Sequence, residues 1–172
     1  MARSRITGFY LGETADHRGR ILDDLHTQTL EGLELTHDYI QWLFPLPERS
    51  SANSDAPLLS ASDIREFSER EELRSSLLRS LTVMLQFYGM ELVQTPAGPE
   101  IHRTDTFHLR SKVWLTPFNH NFLRVTRILR SLSLLSCKEY ADALFRCLEE
   151  IYRENPAIIG QDSFRYWKTA RR

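Results

Sequence analysis

Glu71–Gly89 reads EELRSSLLRSLTVMLQFYG. Leu73, Leu77, Leu81, Met84, Leu85 and Tyr88 recur at i, i+4, i+8 spacing, the signature of one apolar face on a 3.6-residue helix. Gly89 supplies the stop. Downstream, "MELVQTPAGPEIHR" reads as two short strands or an extended loop about Pro96 and Pro99. Asn119 then follows Pro117 at an N-cap position, and a helix runs from there to about Leu135. Another spans Lys138 to Asn155, ended by Pro156, and a short one covers Ser163 to Ala170. Upstream, Ser60 or Ser62 caps a helix with Ile64 and Phe67 on one face. "PLPERSSANSDAPLL" is a loop by its Pro, Ser and Asn content. A helix over Leu33–Phe44 is stopped by Pro45 and Pro47, and one over Ile21–Thr29 starts after Gly19. The residues to Arg20 read as irregular, anchored by Phe9, Tyr10 and Leu11. The expectation is a mainly α protein: one globular helical domain over residues 1–172, with about six or seven helices and one or two long loops.

Composition agrees. The 172 residues are 41% hydrophobic and 26% charged, and the net charge is −1. That length suits a single domain with a real core. The charge balance argues against a general binder of nucleic acid or anionic membranes. No segment approaches the roughly 20 apolar residues of a membrane span, and the start lacks a secretory apolar run, so a soluble cytoplasmic protein is expected. Cys137 and Cys147 fall ten residues apart in one helix, roughly 15 Å by helical rise, which is too far for a disulfide. They read as reduced, partly buried thiols.

Two stretches, "HDYIQWLFPLPERSSANSDAPLL" and "LTPFNHNFLRVTRILRSL", are long and ordered. Together with "FYLGETADHRGR", "MLQFYG" and "IGQDSFRYWK", they give the chain a pattern that resembles the conserved N-terminal region of the opioid growth factor receptor family. Its loop reads "ERSSAN" where that family has a Pro-Ser-Gly-Phe-Asn type of run. The resemblance is to a short, microbial-type member without the C-terminal repeats. It implies a receptor-related domain, since the animal members are receptors for a met-enkephalin peptide in growth regulation. A microbe has no enkephalin, so that ligand does not carry over. The resemblance brings no catalytic residues.

The residues themselves offer two places for chemistry. In "HDYIQWLFP", Tyr39, Ile40, Trp42, Leu43 and Phe44 surround three polar side chains. On a continuous helix His37, Ile40, Gln41 and Phe44 share one side, with Asp38 and Trp42 on another. Buried polar groups must be hydrogen-bonded, so His37, Asp38 and Gln41 either pin the Pro-rich loop that follows or present His37 and Gln41 to a pocket. In "NHN", Asn119 to Asn121 open a helix whose N-terminus favours an anion. Arg124, Arg127 and Arg130 follow on a face opposite Phe122, Val125, Leu129 and Leu132, either as a solvated face or as part of an anion site with His120. The sharper reading joins the two: Asn119, His120 and Asn121 as donors, Arg124 and Arg127 as charge, His37 and Gln41 in the wall and Trp42 as a flat apolar surface.

That makes the chain a non-enzymatic binding module for a peptide-like or small anionic ligand, or for a protein partner. Nucleic acid is not the expected partner. Two alternatives stand beside it: an enzyme with a His37 or His120 acid–base site, and a nucleic-acid binder through the Arg124–Arg130 face. A purely structural role for every one of these groups is a further reading. No GxSxG, Walker glycine loop, HExxH or GxGxxG occurs, and the six histidines lack metal-ligand spacing. Neither cofactor nor metal is expected, and no motif sets the oligomeric state.

Overall fold

The computed structural model of the protein describes residues 4–172. In chain order its helices are α1 (Arg5–Tyr10), α2 (Leu22–His26), α3 (Leu30–Leu35), α4 (Ile40–Leu43), α5 (Ala61–Glu69) and α6 (Glu71–Tyr88). A hairpin of β1 (Met90–Thr95) and β2 (Gly98–Arg103) follows. Then come α7 (Phe107–Trp114), α8 (Asn121–Leu134), α9 (Lys138–Glu154) and α10 (Pro156–Ala170). The mainly α class is as the periodicity demands, and all six residues of the α6 stripe are buried. Ten helices stand among the described residues where six or seven were expected: four helices of only four to six residues occur before Phe44 where two were expected, and α7 forms where none was expected. Single-turn helices leave no periodic stripe to read. The chain divides into two units, one running to Val83 and the other from Met84 to Arg172.

In the first unit, α1 forms where the sequence reads as irregular. Ser4 caps it, accepting from the Thr7 N–H at 3.1 Å, and the Ser4 hydroxyl donates in turn to the buried Asp63 carboxylate. Asp63 also closes the capping box of α5, accepting the Ser60 N–H at 2.8 Å. Aromatic rings fill the space behind: Phe9 against Trp42 at 5.0 Å and Tyr10 edge-on to Phe67 at 4.9 Å.

The expected Leu33–Phe44 helix is broken. Thr36 is extended (φ −100°, ψ 130°), leaving α3 and α4 with a connector over residues 36–39. A β-branched residue favours this region, and the Tyr39 hydroxyl holds the break by donating to the Leu33 carbonyl at 3.0 Å. His37 and Asp38 are therefore not helical, and the shared helical side for His37 and Gln41 does not exist.

In the second unit, the strand reading of "MELVQTPAGPEIHR" is the one that occurs. β1 and β2 pair antiparallel from Met90↔Arg103 to Thr95↔Gly98, and β2 packs on α9. Gly89 makes the turn out of α6 with φ 78°. Buried indoles fasten the helices: Trp114 Nε1 donates to the Tyr88 carbonyl at 3.1 Å, and Trp167 Nε1 to the Phe122 carbonyl at 3.0 Å. α10 starts earlier than Ser163, at Pro156, and is interrupted at Gly160 (φ 78°, ψ 154°). Cys137 and Cys147 are both buried and free, and burial pushes the Cys147 thiol up to about 11.

Candidate functional site

The "NHN" segment opens α8 after the turn that ends α7. Asn119 does the capping work expected of it, from a position one residue further out. The N-cap residue is His120, while Asn119 Oδ1 accepts the Asn121 backbone N–H at 2.9 Å and its side-chain amide at 3.0 Å. The Asn119 amide donates back to the Val113 carbonyl at 3.0 Å and the Thr116 hydroxyl at 2.9 Å. Asn121 is fully buried, and Arg124, only 5% exposed, donates through Nη1 to Asn121 Oδ1 at 3.2 Å. Asn119, Asn121 and Arg124 thus form one continuous network, with the His120 ring 3.4 Å from the Asn121 amide. Arg127 is half-buried and Arg130 exposed on the same helix, each already engaged with a neighbouring group.

Beside this network lies a cleft of about 510 Å³. Pro117, Phe118 and Phe122 form one wall, and Ile158 to Ser163, around the interruption of α10, form the other. Phe118 is fully exposed and has φ 61°. A bulky residue in the left-handed region is strained by about 1 kcal/mol or more. Exposing its ring to water adds a second unfavourable feature at the same position.

The first unit places His37, Gln41 and Trp42. His37 is exposed on the connector and engaged with a neighbour. Gln41 is buried, and its amide donates to Ser50 Oγ at 3.3 Å, within the Pro-rich loop. Asn53 of that loop donates to the Asp38 carbonyl at 2.7 Å, so this stretch does pin the loop. Trp42 is 1% exposed. Its ring packs parallel to His17 at 6.2 Å and lies 5.1 Å below the Arg5 guanidinium.

Sequence reasoning missed what Asp38 does. The "DHRGR" loop, Asp16–Arg20, folds on itself: Asp16 Oδ1 accepts the N–H groups of Arg18 and Arg20 at 2.8 and 2.9 Å. Three of its side chains then converge on Asp38, with Arg20 at 3.0 Å, His17 Nε2 at 3.3 Å and the Arg18 guanidinium in contact. Despite the burial of Asp16, its hydrogen bonds from Arg20 and Arg18 hold the carboxyl below the usual range. Trp42 Nε1 donates to His17 Nδ1 at 3.2 Å, which places the ring proton on Nε2, facing Asp38. Both nitrogens of His17 are used inside the fold. An aspartate followed three residues later by glycine was the available signal for this loop. Gly160 followed by Gln-Asp-Ser was the signal for the interruption of α10.

Comparison with known proteins comes to the same region of sequence space. The family model of the opioid growth factor receptor conserved region matches residues 7–172. The opioid growth factor receptor of Mus musculus is 40% identical over 114 residues, 66% of this chain and 18% of its own length. That of Homo sapiens is 36% identical over 135 residues, 77% of this chain and 20% of its own. Opioid growth factor receptor-like protein 1 of Mus musculus is 36% identical over 139 residues, 80% of this chain and 29% of its own. The chain spans less than a third of the length of these curated relatives. No solved structure matches it.

Proposed function

Since the chain belongs to the opioid growth factor receptor conserved-region family, we propose that it is a binding module whose second unit recognises a short peptide through an apolar side chain. The cleft beside Phe118 receives that side chain, and the Asn119–Arg127 helix start, with His120 at its tip, is the polar flank. The relatives' name, opioid growth factor receptor, says that those proteins receive a growth factor; recognition of a peptide fits that description.

The observation that carries the reading is Phe118. Strained, exposed residues persist where something other than folding retains them, and a ligand covering the ring would regain roughly 2 kcal/mol of hydrophobic free energy. The cleft is within the few-hundred-Å³ range of ligand sites. A peptide side chain is favoured over a bare anion because Arg124 and Asn121 already spend polar groups on one another, and an anion would have to break that bond. An acid–base site on His120 or His37 is less well supported, since both residues are exposed and neither sits in the closed pocket that general-base chemistry needs.

The test is a titration of the protein with amidated pentapeptides carrying Phe, Leu or Asp at the centre and Gly elsewhere. Binding of the Phe or Leu peptide, with resonance shifts at Phe122 and Ile158, is expected, and Phe118→Gly should abolish it. The same substitution should raise stability by about 1 kcal/mol through relief of the left-handed phenylalanine. Preference for the Asp peptide or for inorganic phosphate, unchanged in Phe118→Gly, would replace this reading with the anion site. A destabilised Phe118→Gly would show that the ring serves the fold.

A further inference from the structure

Cations outnumber anions in the second unit, with 13 Lys and Arg against 9 Asp and Glu over residues 84–172, so its surface favours negatively charged ligands. Asp142, Phe145, Arg146 and Glu149 share one face of α9, at i, i+3, i+4 and i+7. Lys168 and Arg171 stand across from them, at the C-terminal end of α10. Between the two helices these six residues line a hollow of about 480 Å³.

Both acids in the hollow are already paired. Asp142 accepts from Lys138 Nζ at 3.2 Å and from Arg171 Nη1 at 2.8 Å, and Glu149 accepts from Arg153 Nη2 at 2.9 Å. The lining cations are less fully used. Lys168 is exposed, and among the described residues its ammonium meets neither a carboxylate nor a carbonyl. Arg146 gives Nη2 to the Pro99 carbonyl at 3.2 Å and meets no carboxylate. Arg171 lies 4.5 Å over the Phe145 ring. With Nη1 on Asp142, its Nη2 has no partner and its Nε is a buried donor without one.

The two guanidiniums are therefore oriented before any ligand arrives, Arg146 by a carbonyl and Arg171 by a carboxylate and an aromatic face. Each keeps donors to give, and preorganised donors lower the ordering cost of binding. A single solvated cation is ordinary on a surface. Three cations meeting from two helices, around acids that are already neutralised, leave a surplus of positive charge at one place. A carboxylate carries one charge and suits one guanidinium fork. A phosphomonoester carries close to two charges on three oxygens, which matches donors that come from three side chains.

We infer that the hollow between α9 and α10 binds a small soluble phosphomonoester, with Arg146 and Arg171 each donating to a phosphate oxygen and Lys168 supplying the third positive charge. The rest of the recess takes the group that carries the phosphate. The hollow shares no lining residue with the Phe118 cleft, so this site does not depend on peptide recognition there.

An NMR titration of the full chain with methyl phosphate, at ionic strength held constant with sodium chloride, reads this directly. Saturable shifts centred on the amides of Phe145, Arg146 and Lys168 are expected. Lys168→Gln removes an exposed charge that the fold does not use, and should weaken binding by about fivefold or more while leaving the far-ultraviolet circular dichroism unchanged. Lys168→Arg should keep most of the affinity, and Arg146→Gln should lose it as Lys168→Gln does. Shifts that grow without saturating would reduce the hollow to a screened surface and overturn the proposal. Acetate binding as tightly as methyl phosphate would also overturn it. So would saturable binding indifferent to Lys168→Gln, which would place the anion elsewhere on the molecule.

Discussion

At the scale of single residues, His26 shows how burial sets a response to acid. Its Nε2 lies 2.8 Å from Ser80 Oγ, while Nδ1 is buried without a hydrogen-bond partner. The Ser80 hydroxyl donates to the Ser76 carbonyl at 3.2 Å and can accept from Nε2, so the tautomer with its proton on Nε2 fits, while an imidazolium would strand a buried Nδ1–H. Burial, reinforced by Arg79 and opposed by Asp23, lowers the histidine to about 4. The unfolded chain, with an ordinary value near 6.5, takes up the proton first. Stability is therefore complete above about pH 6.5 and is lost as pH falls toward 4, by on the order of 2–3 kcal/mol. Urea unfolding at stepwise pH should show that slope, and His26→Asn should flatten it. Phe118 is the opposite kind of residue, because its cost is constant with pH and located in its own backbone. No sequence pattern reports the sign of φ at a phenylalanine, which is why the Phe118 cleft could not be read beforehand.

At the scale of elements, what was legible was what repeats. α6, α8 and α9 each bury an apolar stripe, and each was placed to within two residues at either end, α6 from its spacing, α8 from the Asn119 cap and α9 from the stop at Pro156. α1 is six residues, and its cap, Ser4, is bound to Asp63, 59 positions away; such a helix is decided by tertiary contacts. The same holds for α3 and α4, separated by a four-residue connector that an extended Thr36 opens. The "NHN" cap was visible in the sequence because asparagine side chains bond their own local backbone. Its union with Arg124 followed from helical spacing. Turns that need glycine are also decisive. A Cβ at Gly89 would stand 2.7 Å from Phe107 Cα, at φ 78°. Gly89→Ala should therefore cost at least about 2 kcal/mol, from the left-handed conformation and the clash together, and denaturant midpoints would show it. A near-neutral result would mean that the α6–β1 turn relaxes more than packed backbone allows.

At the scale of the whole molecule, acidic and basic residues nearly balance, for a net charge of −1. Among the described residues, many of the arginines meet a carboxylate, as Arg103 does Glu154 and Arg171 does Asp142. No helix is long and apolar enough to cross a membrane. The family is shown by its sequence over almost the entire length, while its ligand has to be read from one cleft. The Asp38 clamp has a consequence in time. It joins Arg20 to Asp38 across 18 positions, and Trp42 to His17 across 25, whereas Asp63 reaches Ser4 across 59. Closing a short loop costs less entropy than closing a long one, so on refolding the clamp forms while α1 is still unattached, and the Ser4–Asp63 tie comes last. Asp38→Asn should then slow refolding, and Ser4→Ala should chiefly accelerate unfolding. Stopped-flow chevrons that reverse this order would mean that the chain's two ends of the first unit meet before its middle has set.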